Sequence, residues 1–167
     1  MIVIKQSDIT LEDVDAIVNA ANSGLRGGGG VDGAIHRAAG PSVMDECRQI
    51  GGCPTGHAVM TNAGNLRAKK IIHAVGPVWS GGRRNEPGLL RSCYTQSFDC
   101  AKQAGCKTIA FPAISTGVYR YPKVEAAEIA LTVGRAYEKD FKEIRYICFS
   151  AEDCAIYRQV WEKMTEN

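Results

Sequence analysis

At 167 residues and 45% hydrophobic, the chain is long enough to bury a substantial core and is expected to form one domain over residues 1–167. Its 20 Lys and Arg against 18 Asp and Glu leave a net charge of +2, which argues against a broad electrostatic grip on nucleic acid and leaves the clusters Arg67/Lys69/Lys70 and Arg83/Arg84 as solvated edges. No run approaches the roughly 18 apolar residues of a membrane span, the opening apolar run is too short for a signal peptide, and seven cysteines without a CxxC pair read as reduced core residues of a cytoplasmic protein.

In chain order, residues 2–6 are the first predicted strand, ending into Ser7-Asp8-Ile9-Thr10. Residues 16–19 are the second. They deliver Asn19-Ala20-Ala21-Asn22 and the glycine run Gly27-Gly28-Gly29-Gly30, ahead of a predicted helix over 31–39 that continues to about residue 50. Glycines reach left-handed dihedrals without steric cost, and their N–H groups can close around an anion. Flanked by an apolar strand and a helix, this segment reads as a site for a phosphorylated sugar rather than as a linker.

Strands over 58–62 and 70–74 follow, separated from the next helix by an aperiodic loop over 76–87. That helix covers 88–104 and is stopped by Gly105; a strand over 108–111, a helix over 123–139, a strand over 145–149 and a helix over 153–165 complete the chain. Val124, Ala127, Leu131 and Gly134 form one stripe at helical spacing, and Ile156, Val160 and Met164 another; both read as core. Alternating strands and helices predict an α/β three-layer sandwich around a mixed, mostly parallel sheet of about six strands.

Ligands of open α/β sheets bind beyond the carboxyl ends of the strands. That rule selects Ser7 to Thr10, the segment from Asn22 through the glycines, and Pro112-Ala113-Ile114-Ser115-Thr116-Gly117-Val118-Tyr119 after the fifth strand. The last offers N–H groups and hydroxyls to a second phosphate, and two such loops facing one crevice suggest a diphosphate. Gly28-x-Gly30-x-x-Gly33 matches the dinucleotide fingerprint, but 44–52 reads as helix end and loop instead of a strand ending in an acid, so hydride transfer is not expected. Asp32 and His36 lie four apart on one helix face; an Asp here is either a cap or an acid/base. His36, His57, His73 and the cysteines show no short ligand spacing, so no metal is expected, and His57 and His73 read as structural.

Taken together, Asp8-Ile9-Thr10, Ile17 to Asn22, Gly27 to His36 and Pro112 to Tyr119 resemble a macro domain, most similar to the bacterial branch of the MacroD class. Members of that class are described as O-acetyl-ADP-ribose deacetylases and mono-ADP-ribosyl hydrolases. The resemblance covers nearly the whole chain and implies the macro domain fold, no cofactor, and a monomer. Its implied partner is ADP-ribose, O-acetyl-ADP-ribose or a mono-ADP-ribosylated protein, with nucleic acid only as an ADP-ribosylated substrate.

The resemblance also implies roles. Asp8 would accept from the adenine 6-amino group and the Ile9 N–H would face a ring nitrogen, while Phe149 either stacks on the adenine or is an ordinary core aromatic. Gly30, Val31 and Gly33, with Ser115, Thr116, Gly117, Val118 and Tyr119, would hold the diphosphate, Tyr119 closing over the distal ribose. Asn22 would orient that ribose, Asn19 would brace the loop, and His36 would support Asp32 as acid/base. Arg120, where close relatives often carry glycine, would either lend charge to the diphosphate or narrow the ribose pocket. A helix N-terminus favours a carboxylate by about 0.3 to 1 kcal/mol, which makes Asp32 alone a weak base. A water held between Asp32, a substrate phosphate and the distal ribose would relieve that weakness. Two functions stay open: a hydrolase of ADP-ribosyl esters, and a non-catalytic reader of ADP-ribose.

Overall fold

A computed structural model describes residues 1–166; Asn167, the last residue of the expected domain, lies outside the described residues. Six strands form one sheet: β1 (Ile2–Gln6), β2 (Ala16–Ala20), β3 (Ala58–Asn62), β4 (Lys70–Ala74), β5 (Thr108–Phe111) and β6 (Glu143–Cys148). Their order is β1-β6-β5-β2-β4-β3, parallel throughout except for β3, which runs antiparallel to β4 at the edge. Five helices cover it: α1 (Gly30–Ala39), α2 (Pro41–Ile50), α3 (Glu86–Gln103), α4 (Lys123–Tyr137) and α5 (Ala151–Thr165).

Successive side chains of a strand point to opposite faces, so a doubly covered sheet needs apolar residues on both. Ile17, Ile71, Ala110 and Ile147 pack with Ile35 and Ala39 of α1 and Val43 and Cys47 of α2. Val18, Ile72, Phe111 and Tyr146 face the other way, against Leu90 and Phe98 of α3, Leu131 of α4 and Val160 of α5. This is the expected three-layer α/β sandwich.

Several boundaries differ from the sequence reading, each for a local reason. The helix predicted to continue from 31 to 50 is two helices, because Gly40 sits at φ 87° and Pro41 opens α2. β6 stops at Cys148, so Phe149 leaves the sheet and is 91% exposed, which removes the core reading of that ring. Val124 is 50% exposed, so the buried face of α4 starts one residue pair later than expected and is wider, holding Ala126, Ala130 and Val133 beside Ala127, Leu131 and Gly134. At Gly134 a Cβ would collide with the Tyr146 hydroxyl, which donates to the Ala130 carbonyl at 2.6 Å and so pins helix to sheet. All seven cysteines are free; six are buried and Cys100 is half-buried. Among the described residues no helix is long and apolar enough to cross a membrane.

The connections decide where a ligand can go. β2 leads to α1 on one face of the sheet while its neighbour β5 leads to α4 on the other. Such a divergence opens a crevice at the carboxyl ends. β1 and β6 diverge likewise: β1 enters a 3-10 turn, Ile9–Leu11, whose Ile9 packs on the α1–α2 face, and β6 enters α5 on the opposite one. The crevice therefore runs along β1, β6, β5 and β2, and at about 4.8 Å per strand this spans roughly 14 Å, room for an extended nucleotide.

Candidate active site

One end of the crevice is built from exposed side chains. Ser7 N donates to Cys148 O at 3.1 Å, so Asp8 and Phe149 leave adjacent strands side by side. Asp8 caps the 3-10 turn, its Oδ1 accepting from Thr10 N at 3.0 Å and Thr10 Oγ1 at 2.7 Å. The cap fixes one carboxylate oxygen and the plane of the other. The next residue, Ile9, is buried beneath the turn.

The middle is lined by the loop after β5. Ser115 and Arg120 both adopt left-handed backbone, at φ 68° and 61°, and the Arg120 N–H closes a turn on Gly117 O at 2.9 Å. That dihedral explains why glycine suits position 120; the arginine side chain itself is exposed. Thr116 and Tyr119 are half-buried, and Gly117 and Val118 are exposed. The Ser115 hydroxyl does not face the crevice as expected: it is buried against Gly76 and has no hydrogen-bond partner. A Cβ at Gly76 would collide with it.

This loop has a support that the sequence did not announce. The Trp79 N–H donates to Tyr119 O at 2.8 Å, and the Trp79 ring lies 4.8 Å from that of Tyr121. The 76–85 segment that carries Trp79 is tied to Glu86, whose buried carboxylate accepts from the N–H groups of Ser80, Gly82 and Arg84 at 2.8, 2.9 and 2.6 Å. Burial pushes the Glu86 carboxyl up, but these three bonds outweigh it and hold the group at about 2.

The far end is buried and hydrogen-bonded. Asp32, 6% exposed in the first turn of α1, receives Asn19 Nδ2 at 2.8 Å on Oδ1, with His36 Nε2 at 3.4 Å from the same oxygen. Its Oδ2 faces the glycine loop, where a Cβ on Gly28 would sit 3.5 Å away. Of the two asparagines, Asn22 is the one whose side chain bonds the loop. Asn22 ties the loop, donating to Gly27 O at 2.8 Å and accepting from Arg26 N at 3.0 Å, whereas Asn19 is fully buried and reaches Asp32. Gly33 also differs: its N–H donates to Gly29 O at 3.2 Å, and its lack of a Cβ leaves room for the Gly28 carbonyl. The N–H groups of Gly30, Val31 and Asp32, ahead of the first full helical turn, have no intrahelical acceptor and remain available to an anion.

Beneath Asp32 lies His73, on β4 and fully buried, 3.1 Å from Asn19 and 2.8 Å from Thr61 Oγ1. Burial, then the neighbouring His36, pushes its pKa down to about 4 against an opposing pull from Glu46. His57, by contrast, is exposed, unlike the structural role read for it. The fold brings His36, Cys47 and His73 to within 4.8 Å of one another, although their spacing in sequence shows no ligand pattern. Both His73 nitrogens are already engaged, and burial, with Asp32 nearby, pushes the Cys47 thiol up, so a metal here would have to displace the Thr61 or Asn19 bond.

The family model for the macro domain matches residues 18–130. The chain belongs to the macro domain family. A macro domain-containing protein of Caldanaerobacter subterraneus is 53% identical over 165 residues, covering 95% of this chain and 94% of that protein. A Cronobacter sakazakii protein named O-acetyl-ADP-ribose deacetylase is 50% identical over 164 residues, 94% of this chain and 91% of its own. Among solved structures, the Oceanobacillus iheyensis macrodomain with ADP superposes with a TM-score of 0.94 at 39% identity, over 98% of this chain and 90% of that one. The Trypanosoma brucei macrodomain in complex with ADP-ribose gives 0.89 at 38% identity, over 95% and 68%. The diverging strand ends of this macro domain thus belong to a fold whose solved relatives include complexes with ADP and with ADP-ribose.

Proposed function

We propose that this macro domain is an ADP-ribose-binding hydrolase that cleaves the acyl ester of O-acetyl-ADP-ribose and the ester joining ADP-ribose to an acidic side chain of a protein. The observation that carries the reading is the Asp32 carboxylate: Oδ1 accepts from Asn19, with His36 Nε2 3.4 Å away, while Oδ2 faces the glycine loop. A reader of ADP-ribose has no need of a buried carboxylate oriented in this way. The adenine takes the Asp8–Phe149 end, the diphosphate the α1 N-terminus and the 115–119 loop, and the distal ribose the Asn22–Asp32 end.

Water held between Asp32 Oδ2, a substrate phosphate and the distal ribose gives up a proton to the carboxylate, with the phosphate assisting. Its oxygen bonds to the ester carbonyl carbon, the carbon–oxygen bond to the ribose breaks, and the proton returns to the ribose hydroxyl. Holding the water in place supplies much of the rate. The seven free cysteines accord with a reducing, cytoplasmic setting, and the enzyme acts as a monomer. Turnover of an ADP-ribosylated glutamate by wild type and Asp32→Ala tests the assignment, with calorimetry on ADP-ribose alongside. The variant is expected to bind and not to turn over; wild type that binds but is inert is a reader.

A further inference from the structure

His73 stands opposite Asn19 in the β2–β4 register and touches nothing in the crevice directly. The partners of its two nitrogens nevertheless fix the direction of every hydrogen bond between them. At one end the Asp32 carboxylate can only accept, so the Asn19 amide must present Nδ2–H to Oδ1. The second hydrogen of that amide points at His73 Nδ1, 3.1 Å away, which therefore carries no proton. At the other end the Asn62 carbonyl can only accept, and Thr61 donates its hydroxyl hydrogen there at 2.9 Å. Thr61 Oγ1 is left to accept from His73 Nε2 at 2.8 Å. Both ends require the same tautomer, neutral with the proton on Nε2.

We propose that His73 is a positioning residue: held by Thr61 as its Nε2–H tautomer, it locks the Asn19 amide in the one orientation that donates to Asp32, and thereby aims Oδ2 of that carboxylate at the glycine loop. The proposal rests on the reading of Asp32 as the acid/base. A reversed Asn19 amide would set its carbonyl oxygen against the Asp32 carboxylate. A protonated His73 would set one N–H against another. Asn19 Oδ1 is buried without a partner, as expected of an amide oriented for its two donors rather than for its own satisfaction. The other groups around the ring are His36 of α1, with ring centroids 5.9 Å apart, Cys47 of α2, whose sulfur is 3.8 Å from Nε2, and Glu46 farther out.

Three variants and one spectrum test this. His73→Leu removes both nitrogens at similar volume, His73→Asn restores an acceptor where Nδ1 stood, and Thr61→Val removes the acceptor for Nε2–H. The expected result is a kcat for O-acetyl-ADP-ribose lowered about tenfold or more in His73→Leu and less in Thr61→Val, a KM within about twofold, and recovery of most of kcat in His73→Asn. A kcat per folded molecule unchanged in His73→Leu, with only Tm lowered, overturns the proposal. Should the variants fail to fold, the long-range 1H–15N spectrum of the wild type at neutral pH decides: a protonated Nε2 and bare Nδ1 support the proposal, and an Nδ1–H tautomer or an imidazolium overturns it. Wild-type activity in Asp32→Ala would instead overturn the acid/base reading, a failure the spectrum does not share.

Discussion

The two ends of the crevice are built on opposite principles. At the end assigned to the adenine, Asp8 and Phe149 stand exposed on a short turn and a strand terminus, where Asp8 bonds only locally, to Thr10 two residues on. At the end assigned to the ribose, Asp32, Asn19 and His73 are buried within the α1–α2 face of the sheet and joined by hydrogen bonds of 2.8 and 3.1 Å. Exposed groups contribute affinity that can be changed at small cost to the fold. Buried polar groups couple their chemistry to stability, because each loses more when its partner is removed than it gains when paired. Binding and reaction are therefore separable by substitution, and only the second is tied to the core.

The largest effect should come from Asp32→Asn, which keeps the shape and removes the charge. Loss of a general base costs about 10² to 10⁴ in kcat, roughly 3 to 5 kcal/mol, while calorimetry should find ADP-ribose bound nearly as before. Next comes acid. His73 has a folded pKa of about 4 against an ordinary 6.5, so the unfolded chain takes up this proton first. Its contribution is complete above pH 6.5 and is lost as pH falls toward 4, about 3 kcal/mol in all, read as a falling urea midpoint that His73→Leu should flatten.

Asp8→Ala should weaken ADP-ribose by roughly 1.5 to 3 kcal/mol, the scale of a hydrogen bond to a charged group. Because the same carboxylate caps a turn, unfolding should register a loss of about 0.5 to 2 kcal/mol as well. Smallest is Phe149→Ala, about 1 kcal/mol of stacking for a ring 91% exposed, visible as faster release of ADP-ribose with no change in Tm.

Much of this was legible in the sequence because it is local. Apolar and β-branched runs located every strand to within two residues at either end, and the rule of strand carboxyl ends selected the three loops that line the crevice. Where expectation failed, the information lay across the fold. Asn19 was read as a loop brace, although its parity with Ile17 in β2 places it on the face that α1 and α2 cover. Its partner His73 is 54 residues away, and only the β2–β4 register brings them together. Glu86 sat inside a stretch read as featureless loop, since a carboxylate that gathers three backbone N–H groups leaves no periodic trace. Ser115 was read through its N–H and its hydroxyl together, but the left-handed backbone leaves the hydroxyl buried against Gly76.

Single-turnover release of acetate from O-acetyl-ADP-ribose at saturating substrate, compared between Asp8→Ala and Asp32→Asn, tests the division of labour most directly. Wild-type speed in Asp8→Ala with a loss of about 10² to 10⁴ in Asp32→Asn is the predicted outcome. Equal losses in both variants, or an Asp32→Asn enzyme as fast as wild type, would contradict it.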